Sequence, residues 1–293
     1  MKKTLGSVGL GAALALAGCQ SAPSEAPASD VAAAAEPVAQ APAYEQIAPR
    51  YAARVRPMSR LWTRVTARYW GEDASGNPLN EMAEGHLQVV RPDDVALSLG
   101  KLGETYLYLG SNPEKYWWID LLDADNSVAL VGTHAEATPR RIAALGLPVR
   151  PPDLIELLGV TEIAAEGGRV DFGEREGELI VTSPRPVGWV RLWVDQETLE
   201  PRRIALLEES GDERIHADLE AYQRLLGVVS ETLFRVPRRA VVNAAGEEWT
   251  VRLTLNEPRT NHSIRDDLVF NPDRLFQRFG VKDIIDLDER VAP

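Results

Sequence analysis

The sequence predicts a mainly β protein in which one antiparallel sheet or barrel carries a few helices. Short segments with alternating apolar and polar residues recur along the chain, separated by turns rich in glycine, proline, asparagine and aspartate. Only two stretches show the three- and four-residue apolar spacing of a helix. Many short strands without a helix between each pair are typical of antiparallel rather than parallel sheets.

The N-terminus has the layout of a secretion signal. Residues 1–3 are a short basic start, Leu5–Ala17 is an uncharged run, and small residues precede Cys19, the only cysteine. The run is shorter than the roughly 20 residues that a membrane-spanning helix needs. The tetrapeptide Leu16–Cys19 resembles the bacterial lipobox. We therefore expect residues 1–18 to be a lipoprotein signal peptide and Cys19 to be acylated, the alternative being an ordinary signal with a chance cysteine.

Acylation at Cys19 predicts a location in the cell envelope, with the chain attached to a membrane through its lipid. Each buried methylene contributes about 0.8 kcal/mol, so two or more acyl chains hold firmly. In lipobox proteins an aspartate after the cysteine favours the inner membrane, and Gln20 at this position favours the outer membrane, facing the periplasm. An acylated Cys19 leaves no free thiol, which excludes a disulfide and a cysteine-ligated metal. No cofactor is predicted.

A tether is predicted between the signal and the folded body. Residues 19–43 comprise Cys19 and a stretch rich in alanine, proline, serine and glutamate. Such a segment cannot bury enough apolar surface to offset its chain entropy. It would span roughly 25–30 Å as a flexible coil. Residues 44–293 are predicted to form a single domain.

The charge balance limits the partners. The full chain carries a net charge of −12, and removal of the signal with its two lysines makes it −14. Nucleic acid is excluded as a partner because its affinity comes from neutralising phosphates. The acidity also argues against a body that lies on anionic headgroups.

Two helices are predicted. The first covers Tyr44–Leu61, where Pro49 and Pro57 predict a break or kink. The second follows two prolines, includes Leu154–Leu158 and ends at Gly159. Both have an apolar side that needs a partner surface, and the open face of the sheet is the expected one.

The clearest predicted strand is Trp249–Asn256, with apolar residues on one face and polar residues on the other. The other predicted strands show the same period. They are Leu61–Trp70, His86–Arg91, Val95–Leu99, Thr105–Leu109, Lys115–Leu121, Val128–Val131, Leu179–Thr182, Trp189–Val194, Arg202–Glu208, Ile215–Tyr222 and Phe234–Val242.

Four segments carry a family resemblance in their order and spacing. They are an apolar strand that closes with Arg-Pro, an aromatic-rich strand, a pair of central strands, and a closing strand with a C-terminal segment: Gly85–Pro92, Asn112–Ile119, Pro201–Tyr222 and Trp249–Phe270. Over about residues 50–288 the chain resembles the LolA/LolB superfamily of lipoprotein carriers. It is longer than either protein, with extra residues around 123–150 and 223–233.

The resemblance implies an unclosed, strongly curved antiparallel sheet, or half-barrel, with lid helices over its concave face. It also implies a cavity for the acyl chains of lipids or lipoproteins, and a non-enzymatic role in their transfer or placement. The expected cavity residues are Val65, Leu87, Val89, Arg91, Leu97, Trp118, Leu154, Leu158, Trp249, Val251, Leu253 and Leu255. In the family, the arginine that matches Arg91 ties the lid to the sheet; otherwise Arg91 simply leaves its strand for water.

Two other functional classes stay open. The same architecture resembles envelope-stress sensors, which bind another envelope protein instead of a lipid. An enzyme would need converging polar groups, but the sequence has no Gly-x-Ser-x-Gly elbow and no glycine-rich phosphate loop. The four histidines lack metal-binding spacing, so the sequence predicts neither a metal site nor a catalytic residue.

Overall fold

Fourteen strands form one sheet in the computed structural model, which describes residues 40–72, 75–138, 141–142, 149–225, 234–260 and 262–290. The signal peptide, Cys19 and most of the tether lie outside the described residues. The strands are β1 (Arg60–Glu72), β2 (Pro78–Val90), β3 (Asp94–Lys101), β4 (Glu104–Ser111), β5 (Lys115–Asp120), β6 (Val128–Thr133), β7 (Arg169–Phe172), β8 (Glu178–Pro184), β9 (Trp189–Asp195), β10 (Pro201–Leu207), β11 (Glu213–Arg224), β12 (Arg235–Ala244), β13 (Thr250–Arg259) and β14 (Asp283–Asp286).

The sheet consists of two antiparallel meanders joined at one seam. Its order is β14-β6-β5-β4-β3-β2-β1-β13-β12-β11-β10-β9-β8-β7. The seam is the pairing of β1 with β13, in which Val65 lies opposite Leu255. Among the strands that the structure describes, only β14 and β6 run parallel. Among the described strands β7 and β14 are the edges and do not pair with each other, which confirms the predicted unclosed antiparallel sheet.

Five helices accompany the sheet in the described part of the chain: α1 (Tyr44–Val55), α2 (Pro151–Leu157), α3 (Asp266–Val269), α4 (Pro272–Phe279) and α5 (Leu287–Arg290). The predicted first helix is shorter than expected. It continues through Pro49 and ends at Val55, so the chain leaves the helix just before Pro57. Pro57 has no N–H group with which to continue the helical hydrogen bonds, which explains this end. Helix α2 has the predicted boundaries, with Gly159 at a φ of +68° after its end.

Helices α1 and α2 share one buried cluster with strands of both meanders. We call the sheet face that packs against them the inner face and the opposite face the outer face. The cluster includes Tyr51 of α1, Leu157 of α2, Leu87 of β2 and Leu192 of β9. Because strands far apart in the sheet order meet the same two helices, the sheet wraps around them as a half-barrel.

The outer face carries a second layer that the sequence did not predict. Leu275 and Phe276 of α4 pack with Phe270 on Tyr108 and Trp117, whose side chains alternate with inner-face residues of the same strands. The predicted helices over the inner face are therefore joined by a further helical layer on the outer face. Signals for α4 were present in the sequence: Asn271 caps its first turn, accepting a hydrogen bond from the Arg274 N–H at 3.1 Å, and Pro272 follows the cap.

Candidate ligand-binding cavity

A cavity of about 490 Å³ opens between α2 and the inner face of the sheet. Most of its lining is aliphatic or aromatic, and it comes from both meanders and from α2. The apolar lining includes Ala67, Leu97, Leu99, Leu107, Leu109, Trp118, Val149, Leu154, Ile215, Val242, Trp249, Val251 and Leu253. A largely apolar pocket of roughly 300–1,000 Å³ is typical of a site for a small ligand.

Strand pairing places the leucines that form one wall. Leu97 lies opposite Leu109, and Leu99 lies opposite Leu107, across the β3–β4 hairpin. Side chains two residues apart on a strand share a face, so the four leucines form a continuous apolar surface. Trp118 on β5 lies opposite Leu109 and extends this wall.

The mouth of the cavity combines charged and exposed apolar side chains. Lys101 Nζ donates a hydrogen bond to Glu81 Oε2 at the mouth. Met82 and Leu122 also line the cavity and are 49% and 74% exposed. Leu102, next to Lys101 in the β3–β4 turn, is completely exposed. Apolar side chains in this position would contact whatever approaches the mouth.

The residues predicted for the cavity divide into two groups. Leu97, Trp118, Leu154, Trp249, Val251 and Leu253 line it. Val65, Leu87, Val89, Leu158 and Leu255 lie outside the lining and are buried in the cluster that α1 and α2 form with the sheet. Contact of either group with a ligand stays a prediction. Sequence reasoning missed Leu99, Leu107 and Leu109, although Leu99 shares the face of Leu97 by simple alternation.

Arg91 lies outside the cavity and joins three segments of the chain. Its Nη1 donates hydrogen bonds to the carbonyl oxygens of Val55 at 2.7 Å and Met58 at 3.2 Å. Its Nη2 donates to Glu162 Oε1 at 2.7 Å, and its side chain is only 17% exposed. The last carbonyls of a helix lack partners within the helix, and Arg91 supplies one at the end of α1. This is the geometry expected of a residue that fastens helix to sheet; a role in opening stays a prediction.

A buried cluster of charges holds α2 to the second meander. Asp153 Oδ1 lies 2.6 Å from Arg185 Nη2 and 3.1 Å from Arg150 Nη2, and Asp153 Oδ2 lies 3.6 Å from Arg214 Nη2. Arg185 Nε also lies 2.8 Å from Glu156 Oε2. Asp153 is 1% exposed. No local pattern in the sequence indicates this cluster, because its members come from α2 and the residue before it, the β8–β9 turn and β11.

The cluster shifts the pKa values of its two carboxyl groups in opposite directions. Burial alone would keep Asp153 neutral, but Arg150, Arg185 and Arg214 outweigh it and lower the pKa of Asp153 to about 2. Burial raises the pKa of Glu156 to about 7 against the attraction of Arg185, and the charge of Asp153 adds to the rise. Near neutral pH one carboxylate is therefore fixed as an anion, while the other can change charge.

Comparison with known proteins gives a fold and no close relative. No family model and no curated protein matches the chain. A LolA superfamily protein from Nitrosomonas europaea superposes with a TM-score of 0.50 at 13% identity, covering 79% of this chain and 99% of that one.

The chain has a LolA-like fold. An outer membrane lipoprotein-sorting protein domain from Vibrio parahaemolyticus is a weaker match, with a TM-score of 0.48 at 10% identity over 76% of this chain and 94% of that one. The predicted resemblance is confirmed at the level of fold. In this LolA-like fold the cavity lies between the inner face and α2.

Proposed function

We propose that the protein is a non-enzymatic carrier that binds an acyl chain of a lipid or lipoprotein in the cavity beneath α2. The observation that carries the proposal is the apolar lining of a 490 Å³ space that opens at a mouth with exposed apolar residues. The LolA-like fold supports it, because the solved protein of similar fold belongs to the LolA superfamily.

The size of the cavity suits a single chain. A methylene group takes about the room of a water molecule, whose share of liquid volume is about 30 Å³. The cavity of about 490 Å³ therefore has room for roughly 16 methylenes. A lipid with two or three chains would leave the others outside, in a membrane or against the exposed rim.

The energetics suit transfer better than storage. Burying a methylene from water gains about 0.8 kcal/mol, so a chain of 16 would gain on the order of 13 kcal/mol. A chain that leaves a bilayer gains far less, because the bilayer interior is as apolar as the cavity. Uptake is then close to balanced, and the chain can be passed on.

The carrier would act at a membrane surface in the cell envelope. An acylated Cys19 and the tether behind it would keep the cavity near the bilayer. The proposed location is the outer membrane, with the folded body facing the periplasm. The exposed side chains of Met82, Leu102 and Leu122 would meet the bilayer at the mouth. In the described part of the chain, no helix has the length and apolarity to cross a membrane.

The proposal is tested by measuring fatty-acid binding to a variant in which a larger side chain fills part of the cavity. Leu99 is half-buried and lines the cavity, so Leu99→Trp should occupy space that a fluorescent fatty acid needs. Ile163→Trp is the matched control, since Ile163 is a half-buried core residue outside the lining. The proposal expects wild type and Ile163→Trp to bind the probe and Leu99→Trp to lose at least tenfold in affinity. Equal affinities for all three proteins, or no binding by wild type, would overturn it.

A protein-binding role is the second candidate, favoured by the free edge of the sheet at β7. This strand has a partner only on its β8 side in the described residues, and Phe172 at its end is 46% exposed. A free edge can accept a strand from another protein. A photoreactive residue at position 172 should then crosslink to an envelope protein in living cells, and a clean absence of such crosslinks would argue against this role.

A further inference from the structure

The outer face of the cavity wall carries two arginines directly opposite each other. Arg68 on β1 and Arg252 on β13 are partners in the register of the seam. Their chain neighbours, among them Ala67 and Val251, line the cavity. Strand alternation therefore turns both arginines outward, and both are exposed.

Neither arginine is in an ion pair with any residue that the structure describes. Nearby arginines on the same face do have acidic partners: Arg64 Nη2 lies 3.0 Å from Glu257 Oε1, and Arg239 Nη1 lies 2.9 Å from Glu220 Oε2. Like charges directly opposite on neighbouring strands destabilise a sheet. The Arg68–Arg252 pair thus has a cost that no described acid offsets.

Both guanidinium groups lie close to the ring of Trp70. Its ring centroid lies 4.9 Å from Arg252 Cζ and 5.5 Å from Arg68 Cζ, within the range of cation–π attraction. A guanidinium that stacks on a ring uses its flat face, which leaves the N–H donors at its edge available. Arginine binds phosphate oxygens through paired hydrogen bonds, and two arginines opposite each other on neighbouring strands present such donors on one face of the sheet.

We propose that Arg68, Trp70 and Arg252 bind the phosphate groups of anionic membrane lipids and so dock the cavity mouth on a bilayer. The inference rests on the proposed function, because a mouth that exchanges acyl chains has to approach a membrane. Met82 favours a lipid surface over an acidic protein: it lies opposite Arg68 on β2, lines the mouth and is half exposed. Tryptophan and arginine beside an apolar side chain are typical of membrane–water interfaces.

The overall charge makes a local site necessary. A chain with a net charge of −12 is repelled by an anionic surface unless a basic patch turns toward it. The acidity argued against headgroup contact at the level of composition, but composition does not show where the arginines lie. Their convergence at the seam gives the acidic body one orientation in which it can approach.

Co-sedimentation with vesicles tests the docking site. The full chain with Cys19→Ala is used, so that an acyl anchor does not mask weaker binding. Vesicles contain equal parts of phosphatidylglycerol and phosphatidylethanolamine, or phosphatidylcholine alone. Arg68→Gln and Arg252→Gln are compared with Arg175→Gln, which removes the same charge from an exposed arginine, without a described ion pair, between β7 and β8.

Each arginine of the pair should contribute about fivefold to the affinity for anionic vesicles. We therefore expect about fivefold weaker binding for Arg68→Gln and for Arg252→Gln, and no change for Arg175→Gln. Phosphatidylcholine vesicles should bind weakly whichever protein is used. Melting temperatures of the two seam variants should equal or exceed that of the parent, because the repulsion between the arginines is removed.

Three results would overturn the proposal. The first is equal vesicle binding by the seam variants and Arg175→Gln, and the second is equal binding of the parent to both kinds of vesicle. The third is binding of the parent to polyglutamate without binding to vesicles, which would indicate an acidic protein partner. Uptake of a fluorescent fatty acid in solution is measured in parallel and should be the same for all variants. If the parent binds anionic vesicles through the arginines but takes up no fatty acid, the docking site stands and the proposed function fails.

Discussion

Arg91 Nη2 lies 2.7 Å from Glu162 Oε1, and this contact connects the end of β2 to the segment that follows α2. The same guanidinium bonds the carbonyl oxygens of Val55 and Met58 at the end of α1. One side chain therefore links the first meander to the end of α1 and to the segment that follows α2. We expect these bonds to hold α1 and the segment after α2 against the first meander.

Arg91→Leu should weaken the closed state of the empty protein. Release of an acyl ligand should then slow, because the empty closed state no longer competes as well with the ligand-bound open state. Each charge-assisted hydrogen bond contributes about 1.5–3 kcal/mol, so losing one would shift an open–closed equilibrium roughly 10- to 150-fold. Uptake should persist, because Arg91 does not line the cavity. The measurement is the off-rate of a fluorescent fatty acid.

Arg56→Leu is the control for Arg91→Leu. Arg56 Nε lies 3.5 Å from the same Glu162, but its side chain is 68% exposed, and exposed pairs contribute little. Its off-rate should match that of wild type. If Arg91→Leu also releases ligand at the wild-type rate while folded, Arg91 has no part in closure.

Asp153→Asn should destabilise the fold strongly. It leaves the buried guanidinium groups of Arg150 and Arg185 without their central anion, and breaking a buried pair typically costs about 3–5 kcal/mol. The free energy of unfolding in urea gives the measurement. Asp171→Asn, in an exposed pair with Arg169, should cost about 0–1 kcal/mol. Similar values for the two variants would contradict a structural role for the cluster.

The lowered pKa of Asp153 predicts that the stability of the fold is sensitive to acid. The pKa of Asp153 is about 2 in the folded chain against an ordinary pKa of 3.8. Its contribution to the free energy of unfolding is therefore complete above pH 3.8. That contribution is lost as the pH falls from about 4 to about 2. Stability of Asp153→Asn should decline less than that of wild type over this range; parallel declines in urea unfolding would contradict the assignment.

Glu156 predicts the opposite pH dependence. Its pKa is raised from 4.5 to about 7, so the folded state binds a proton more tightly than the unfolded state. The contribution of neutral Glu156 is complete below the ordinary pKa and declines as the pH rises toward 7. Glu156→Gln should remove this decline between about pH 4.5 and pH 7. A wild-type pH profile in the Gln variant would show that another group is responsible.

Cys19→Ala should release the chain from the membrane and leave its folded body unchanged. The only anchor predicted by the sequence is the acyl modification of this cysteine. Membrane fractionation tests attachment, and far-UV circular dichroism tests the fold. Gln20→Asp keeps the cysteine and should stay membrane-bound, moving to the inner membrane. A Cys19→Ala chain that stays in the membrane pellet as firmly as wild type after a high-salt wash, which removes purely electrostatic docking, would rule out the lipid anchor.

The strands could be predicted because their signal is local. Alternation in Leu61–Trp70 or Trp249–Asn256 records which residues face the core, and the structure has β1 and β13 there. The missed strands β7 and β14 have four residues each and lie mostly exposed at the edges. β7 alternates over only four residues, and β14 has two adjacent isoleucines between aspartates, so neither segment shows a sustained alternation.

By itself, the sequence determined the antiparallel class, the two inner helices and half of the expected cavity lining, because short-range patterns encode burial. The tertiary structure alone decided which distant segments meet. Arg68 faces Arg252 across the seam, and Asp153 meets Arg185 and Arg214 beneath α2. These contacts depend on strand order and on packing between segments far apart in the chain, and no local pattern records them.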